Sequence, residues 1–380
     1  MRPHVDLVII NDTTLPKTGG DRVYAVMKQE LVRRGYEVSE VSIPLLMGHI
    51  RTQETTSVIG RTYSFSAELL ANLLCQASSF KKFVAGSHLI VTSSCPAFPV
   101  FGHLTYHQPK AGILTPFSRE SSNIKRMIAY RMQENERLSP LWLLVKKLIR
   151  LHLSNSKFTR DLVKRIYGVD SNVLYPPVPV GKFLHIDLSC RRKPYLLITR
   201  PEAITGISLL PKIARSLPEG IKCIIIGKID RAGSKALHAL KHVGAEFEYF
   251  GYVTEEVKMD ILSKCSVYIN LAVNESFGIT VIEALAAGCV PIAHDSGGIR
   301  EYLPSHLLYS TFDEAAEKVA TYVESKSSIR KDLRNISLKF DEAIFRERFI
   351  VFVQSLETSL GLDSTEELSI NTSPVTASEF

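Results

Sequence analysis

Two glutamates lie on either side of a short glycine turn in the stretch NESFGITVIEALAAGCVPIAHDSGG, residues 274–298. A loop ends at Phe277-Gly278, and the apolar spacing that follows predicts a helix from about Ile279 or Thr280. The first backbone N–H groups of a helix have no partner within it, so together with the helix dipole they bind anions such as phosphate. Gly278 lets the backbone approach such an anion closely because it has no Cβ.

The two carboxylates complete this pattern. Glu275 comes just before the predicted helix and Glu283 about one turn into it, so both side chains can face one cleft. A carboxylate repels phosphate, but it accepts hydrogen bonds from sugar hydroxyl groups. The combination predicts a ligand with both parts, a nucleotide diphosphate that carries a sugar. The alternative is structural, with Glu283 capping a helix and the glycines forming ordinary turns, and each feature taken alone fits it equally well.

Strands and helices alternate along both halves of the chain, which indicates two doubly wound, Rossmann-like α/β domains. A second glycine pair, Gly297-Gly298, follows a strand end, where ligands bind in open sheets of this kind. The predicted strands cover residues 5–10, 36–43, 88–94, 103–107, 194–200, 222–228, 246–253, 267–272 and 290–294. The predicted helices cover residues from about 21, about 119–137, 140–153, 206–217, 255–265, from about 279, and most of 312–360.

The domain boundary is predicted at the proline-rich stretch VLYPPVPVGKF. Its three prolines within residues 176–179 favour a stiff extended connector, and the strand–helix pattern restarts after them. A chain of 380 residues is also longer than one hydrophobic core usually serves. We therefore predict an N-terminal domain over residues 1–178 and a C-terminal domain over 179–345, with a polar, acidic, disordered tail over 363–380.

The overall composition is that of a folded soluble protein with a basic surface. The formal net charge of +7 favours an anionic partner, without choosing among phosphate, membrane and nucleic acid. No nucleic-acid recognition motif accompanies it. The six cysteines show no close pairing, which favours a reducing compartment. The N-terminus lacks the layout of a cleavable signal, and no apolar stretch reaches the roughly 18 residues of a spanning helix. We expect a cytoplasmic protein.

The stretch around Glu275 and Glu283 resembles the donor-binding signature of family 4 glycosyltransferases of the GT-B fold. In that signature two glutamates separated by seven residues flank an F-G pair, and a G-G turn follows. KTGGDRVYAVMKQELVRRGYEV, LSNSKFTRDLVKRIYG with LYPPV, and FGYV resemble other segments of the family. Within it, the signature looks most like mannosyltransferases that extend a lipid-linked oligosaccharide on the cytosolic membrane face. The resemblance implies two domains around a central cleft, with a last helix over residues 346–362 that crosses back to the first domain.

The resemblance also assigns roles to residues of the C-terminal domain. It places Glu275 against the transferred sugar and Glu283 against the nucleotide ribose. Arg200 would neutralise the leaving diphosphate. The remaining members of the signature would meet the diphosphate, with the backbone N–H groups of the last three as donors: Phe277, Gly278, Ile279 and Thr280.

In the N-terminal domain, the resemblance places Gly19 and Gly20 in a loop that approaches the donor phosphate or the acceptor. His107, in TYHQP, falls where related enzymes often carry a histidine that faces the sugar, although a lone histidine is as often structural. No Asp-x-Asp metal motif occurs in the sequence, in line with the metal independence usual for this fold. We therefore expect no cofactor and no metal. The resemblance further implies retention at the anomeric carbon, with the leaving phosphate taking the acceptor's proton.

One residue departs from the family pattern. The family usually has a lysine just before the glycine at Gly206, and this chain has Thr205. Loss of a cation at the leaving group matters because stabilising charge there is usually a large catalytic term. Either a nearby cation replaces it, or catalysis is weak. The candidate replacements are Lys228, Lys212 and Arg231.

These features predict a hexosyltransferase that moves a hexose of mannose or glucose type from a nucleotide sugar to a glycan or a lipid-linked oligosaccharide. One alternative is an enzyme of the same fold that uses a small soluble acceptor or phosphate. Another is a non-catalytic nucleotide-sugar binding protein, which the missing cation at Thr205 would favour. Residues 118–153 combine eight basic residues with an apolar surface, so peripheral contact of residues 119–142 with an anionic membrane is also predicted.

Overall fold

The computed structural model describes residues 4–11, 19–44, 88–94, 102–108, 149–189, 193–202 and 205–362. The strands are β1 His4–Asn11, β2 Val38–Pro44, β3 His88–Ser94, β4 Leu104–His107, β5 Leu151–Ser154, β6 Asn172–Val173, β7 Lys193–Thr199, β8 Lys222–Ile226, β9 Phe247–Tyr249, β10 Cys265–Asn270, β11 Val290–His294 and β12 Leu308–Tyr309. The α-helices are α1 Gly19–Arg33, α2 Lys157–Tyr167, α3 Leu210–Arg215, α4 Arg231–His242, α5 Glu255–Lys264, α6 Ile279–Ala287, α7 Phe312–Tyr322, α8 Ser327–Ser337 and α9 Glu342–Leu360.

The strands form two parallel six-stranded sheets. The first has the order β2-β1-β3-β4-β5-β6, and the second has the order β12-β11-β10-β7-β8-β9. If β7 to β12 are counted as strands 1 to 6, the second sheet has the order 3-2-1-4-5-6 when it is read from β9 to β12. This is the strand order of dinucleotide-binding sheets. The order in the second sheet reverses between β7 and β10, and ligands bind at the carboxyl ends of the strands beside such a reversal. The topology therefore directs the search for a site to the residues that follow β7 and β10.

The helices that flank the site begin and end on residues suited to those positions. Ser156 caps α2, because its hydroxyl oxygen accepts a hydrogen bond of 3.0 Å from the backbone N–H of Thr159. The helix α6 begins after Gly278 and ends at Gly288, and both glycines have positive φ angles. Every residue of β10 is buried, as expected for a central parallel strand covered on both faces.

The last helix returns to the first sheet. Asp341, just before this helix, forms an isolated parallel bridge with Val178, so the two connections between the sheets run side by side there. From there α9 buries Phe345, Phe349 and Val353 in the hydrophobic core that also covers the first sheet. The crossing of the helix over residues 346–362 back to the first domain remains a prediction. The domain limits at residues 178 and 345 remain a prediction.

Most sequence-based elements are confirmed, and one is wrong. The helix predicted over residues 140–153 ends differently, because Leu151–Ser154 is the strand β5, which pairs in parallel with β4. The apolar stretch that the sequence indicates as a helix here ends in a strand, because long-range pairing decides the conformation. The strand predicted over 246–253 is shorter, Phe247–Tyr249. The helix predicted over 119–137, most of the basic amphipathic stretch and the tail over 363–380 lie outside the described residues. None of the described helices is long and apolar enough to cross a membrane.

Candidate functional site

A small cavity lies at the reversal point of the second sheet. It is lined by residues from the carboxyl ends of β7 and β10, among them Thr199, Arg200, Tyr268 and Leu271, together with Thr205. The hydroxyl of Tyr268 lies 3.2 Å from the Oγ1 of Thr199. Sheet topology and side-chain polarity thus point to the same place, the one at which open α/β sheets bind ligands.

Arg200, which lines this cavity, pairs with Glu275. The Nη2 of Arg200 donates a hydrogen bond of 3.2 Å to the Oε2 of Glu275, and the carboxylate is largely buried. Arg200 has a φ of 52°, unusual for a residue with a side chain. Its backbone N–H donates to the carbonyl of Ile226 at 3.0 Å, which holds this conformation. A Cβ on the neighbouring Gly227 would lie 3.0 Å from the backbone N of Arg200, so a glycine is needed there.

The glycine pair at 297–298 supports the loop that carries Glu275. A Cβ on Gly297 would lie 2.3 Å from the carbonyl oxygen of Glu275, and one on Gly298 would lie 2.1 Å from that of Ser276. The N–H of Gly298 donates to the Glu275 carbonyl at 2.8 Å. Asn274, with a φ of 54°, is held by a hydrogen bond of 2.8 Å from its N–H to the Ser296 hydroxyl. The pair therefore acts through backbone packing, which fixes where Glu275 can lie.

The N-terminus of α6 has backbone N–H groups without a partner in the described residues. Gly278 has a φ of 88° and provides no side-chain cap. The N–H groups of Ile279 and Thr280 meet no acceptor within the described part of the chain. The hydroxyl of Thr280 lies 3.0 Å from that of Tyr268, next to the cavity. This end of the helix therefore has donors to spare for an anionic ligand.

Phe277, which the sequence placed with the donor-binding residues, has a buried side chain. Its ring packs against those of Tyr175, Tyr302 and Phe340, with centroids 5.3 to 5.6 Å away. The hydroxyl of Tyr302 also donates to the Phe277 carbonyl at 2.6 Å. Only its backbone remains available to a ligand, and its ring anchors the start of α6 to the core.

Glu283 is almost completely buried and is paired with two cations. The Nη1 of Arg22 donates to its Oε1 at 2.8 Å, and the Nζ of Lys258 lies 3.1 Å from both carboxylate oxygens. Arg22 and Lys258 also contact Glu255, at 3.3 and 3.0 Å. Burial alone would lower the pKa of Arg22, but the charge and hydrogen bond of Glu283 outweigh that effect and raise it. Arg22 belongs to α1, so this ion pair joins the two sheets.

Thr205 has a structural use for its hydroxyl. The Oγ1 contacts the carbonyl oxygens of both Arg200 and Glu202, so it closes the turn that follows β7. Of the three cations proposed to replace the family's lysine, Lys212 lies over the ring of Phe312, with its Nζ 5.1 Å from the ring centroid.

The other two candidate cations are Arg231 and Lys228. Arg231 is an exposed residue at the start of α4. Lys228 directly follows Gly227, the residue that packs on Arg200, and is exposed.

His107 lies at the end of β4 in the first sheet. It is buried, and its Nε2 lies 3.0 Å from the Nδ1 of His152. Burial lowers the pKa of His107 to about 3, with the neighbouring His152 adding to the effect. The imidazole is therefore neutral at neutral pH. Its contact with a sugar stays a prediction, and any such contact would be made by a neutral ring.

Gly19 and Gly20 are the first residues of α1, the helix that carries Arg22. The glycine pair and Arg22, the cation that reaches Glu283, therefore belong to the same end of α1.

Sequence reasoning missed Arg22 and Lys258. Arg22 could have been suspected from its position two residues after the glycine pair, whereas Lys258 has no local signal. Among the described residues, no group of three or more His, Cys, Asp or Glu side chains could hold a metal ion, and the expectation of a metal-free site stays a prediction.

Comparison with known proteins identifies this region. Residues 196–339 match the family described as Glycosyl transferases group 1. The fold agrees, because a sucrose-phosphate synthase from Thermosynechococcus elongatus superimposes with a TM-score of 0.67 at 13% identity, over 94% of this chain and 100% of that one. The two-sheet architecture is therefore the GT-B fold that the sequence predicted.

The curated relatives are mannosyltransferases. The protein from Dictyostelium discoideum named GDP-Man:Man(3)GlcNAc(2)-PP-Dol alpha-1,2-mannosyltransferase is 28% identical over 271 residues, 63% of this chain and 53% of its own length. The Homo sapiens protein of the same name is 26% identical over 234 residues, 53% of this chain and 48% of its own length. The chain spans about half the length of these relatives.

Gly297→Ala tests whether the glycine turn positions Glu275. The new Cβ would collide with the Glu275 carbonyl, 2.3 Å away, so the loop must move. Gly361→Ala is the control, because Gly361 has a similar φ of 66° but nothing within 4 Å of the added Cβ. The positive φ by itself should cost each variant about 1 kcal/mol of folding free energy. Only Gly297→Ala should also lower glycosyl transfer, by tenfold or more. Equal transfer rates in the two folded variants would contradict a positioning role.

Proposed function

We propose that the protein transfers mannose from GDP-mannose to a lipid-linked oligosaccharide. The observation that carries the proposal is the pairing of Glu275 with Arg200, which lines the cavity together with Tyr268. Tyr268 also contacts Thr280 at the open N-terminus of α6, in the region that matches group 1 glycosyl transferases. The names of the relatives supply the donor and the acceptor. An anionic diphosphate suits the helix end and Arg200, and sugar hydroxyls suit the carboxylates.

In the proposed mechanism, the residues of the second sheet stabilise the departing diphosphate. Negative charge builds up on it as the glycosidic bond breaks, and preorganised donors lower the free energy of that state. Arg200 and the N–H groups of Ile279 and Thr280 supply those donors. Glu275 accepts hydrogen bonds from the sugar and holds the guanidinium of Arg200 in place. The diphosphate takes the acceptor's proton, and the configuration at the anomeric carbon is retained.

The donor and acceptor can be tested together. Purified protein would be incubated with GDP-mannose, UDP-glucose or ADP-glucose and with lipid-linked Man3GlcNAc2, free oligosaccharide or inorganic phosphate. We expect transfer only from GDP-mannose to the lipid-linked oligosaccharide. Release of mannose phosphate would indicate a phosphorylase, and transfer to the free oligosaccharide a soluble acceptor. Donor binding without any transfer would indicate a non-catalytic binding protein. Each of these results would contradict the proposal.

Glu275 and Glu283 should fail in different ways. Glu275→Gln removes a charge next to Arg200 and the sugar, so kcat should fall at least a hundredfold while GDP binds nearly as before. Glu283→Gln should instead weaken GDP binding, because Glu283 is proposed to hold the ribose. Calorimetric titration with GDP and initial rates with GDP-mannose separate the two effects. Wild-type behaviour of both variants would exclude this site.

Arg22 should compete with the nucleotide for Glu283. The carboxylate is almost inaccessible while Arg22 and Lys258 cover it, so a ribose can reach it only after an ion pair breaks. Arg22→Met should therefore tighten GDP binding several-fold. Lys28→Met is the matched control on α1, because Lys28 pairs at 3.1 Å with Glu40 within the first sheet. Weaker GDP binding by Arg22→Met would show that Arg22 instead contributes to the nucleotide site.

We further propose that the protein is cytoplasmic and attaches peripherally to the cytosolic face of a membrane. The support is its net charge of +7 together with the lipid-linked acceptor of its relatives. The predicted contact involves the basic residues Lys125, Arg126 and Arg131, which lie outside the described part of the chain. Anionic lipids attract such clusters, and salt screens the attraction.

Vesicle sedimentation tests this attachment. The protein should sediment with vesicles of phosphatidylserine and phosphatidylcholine but not with phosphatidylcholine alone, and salt should release it. Joint replacement of Lys125, Arg126 and Arg131 by Gln should abolish sedimentation while GDP binding stays unchanged. Wild-type protein that remains in the supernatant with anionic vesicles at low salt would exclude the attachment.

A further inference from the structure

The carboxylate of Glu301 belongs to the second sheet but caps a helix of the first. Its Oε1 accepts a hydrogen bond of 2.7 Å from the N–H of Phe158, and its Oε2 accepts one of 3.0 Å from the N–H of Lys157. Oε2 also accepts a hydrogen bond of 3.0 Å from the hydroxyl of Tyr175. The cap residue Ser156 serves the next N–H, that of Thr159. The first three amides of α2 are therefore all satisfied, two of them from across the structure.

This cap has an electrostatic component. Helix α2 has no acidic residue in its first turn and begins with Lys157, so the helix itself supplies no negative charge to its N-terminus. The Glu301 carboxylate supplies that charge, and bonds between a charged acceptor and backbone donors are stronger than neutral ones. Burial and the neighbouring Glu301 raise the pKa of Tyr175, so its hydroxyl stays a donor.

Glu301 is also joined to the loop that carries Glu275. It ends the short 3-10 helix Gly297–Glu301, whose first two glycines pack on the backbone of Glu275 and Ser276. A second link runs parallel to the first, because the Nδ2 of Asn155, just before α2, donates to the hydroxyl of Ser276 at 3.2 Å. The start of α2 thus contacts both the Glu275 loop, at Ser276, and the turn at residues 297–301 that packs on it.

We infer that Glu301 is a positioning residue for the transfer reaction: it holds the turn at residues 297–301 on the N-terminus of α2 and so fixes Glu275 against Arg200. The inference rests on the proposed function for its catalytic consequence. Its structural part, the stiffening of the Glu275 loop by a contact from the first sheet, does not require that function. Neither Glu301 nor α2 touches the cavity, so the effect on catalysis is indirect.

Glu301→Gln tests the inference with a matched control. Gln keeps the size but removes the charge and places an amide N–H₂ group against one of the helix donors. Glu314→Gln makes the same change where Glu314 accepts a hydrogen bond of 2.8 Å from the N–H of Ser310 near the start of α7, away from the Glu275 loop. Both variants should melt at slightly lower temperature. Only Glu301→Gln should lower kcat, by tenfold or more, with the GDP dissociation constant within twofold of wild type.

Hydrogen exchange gives a readout that does not depend on activity. The Asn274 amide bonds to the Ser296 hydroxyl, and the Gly298 amide bonds to the Glu275 carbonyl. Both amides should exchange at least tenfold faster in Glu301→Gln than in wild type, and at the wild-type rate in Glu314→Gln. Unchanged exchange at both amides would overturn the inference, as would a kcat equal to that of the control. If the wild-type protein showed no transfer, the proposed function would be refuted, and the exchange result alone would decide whether Glu301 stiffens the Glu275 loop.

If Glu301→Gln does not fold, Tyr175→Phe takes its place, because it removes one donor from the carboxylate. It should shift exchange and kcat in the same direction by a smaller factor. Wild-type exchange in Tyr175→Phe would then overturn the inference.

Discussion

The close packing of two backbone segments, 274–276 and 296–298, is the constraint on which the rest of the site depends. Their contact leaves no room for a Cβ at either Gly297 or Gly298. The same contact holds Asn274 at a positive φ. Arg200, the partner of Glu275, also has a positive φ. Such conformations cost free energy and persist where surrounding contacts determine them, often at functional sites. Here the hydrogen bonds from Asn274 to Ser296 and from Arg200 to Ile226 hold both residues, so Glu275 and Arg200 meet without further adjustment.

Much of this site could be predicted from the sequence, because its signals are local. The spacing of Glu275 and Glu283 around Gly278 predicts a helix start with a carboxylate on each side. In the structure α6 starts after Gly278, with Glu275 before it and Glu283 within it. The apolar runs predict most strands, since a buried parallel strand is apolar almost throughout. The strand Leu151–Ser154 shows the limit, because it directly continues an apolar stretch that predicts a helix, and pairing with β4 decides its conformation.

The partners of the local motifs could not be predicted. Arg22 reaches Glu283 across 261 positions of sequence, and no spacing rule connects them. Phe277 and Thr205 show a different limit. The motif placed Phe277 at the ligand, yet its ring joins an aromatic cluster with Tyr175 and Phe340, from the two connections between the sheets. The absent lysine at Thr205 predicted a loss of charge, whereas the threonine hydroxyl gains a structural use in the turn. A residue type shows what a side chain can do, and only the fold selects its partner.

Glu283 shows how contact between the sheets and ligand binding become one equilibrium. A carboxylate with 3% of its side chain exposed must be paired, because an isolated buried charge is strongly disfavoured. Lys258 supplies one cation from the same sheet, and Arg22 supplies the other from the first sheet. A ligand hydroxyl at Glu283 takes the place of Arg22 and releases a contact between the sheets. By linkage, a change that strengthens this contact between the sheets lowers the affinity for the ligand by the same factor, and ligand binding weakens the contact in turn. The contacts of Glu301 with α2 involve neither Glu283 nor Arg22, so the sheets stay joined beside the Glu275 loop when the contact at Arg22 is released.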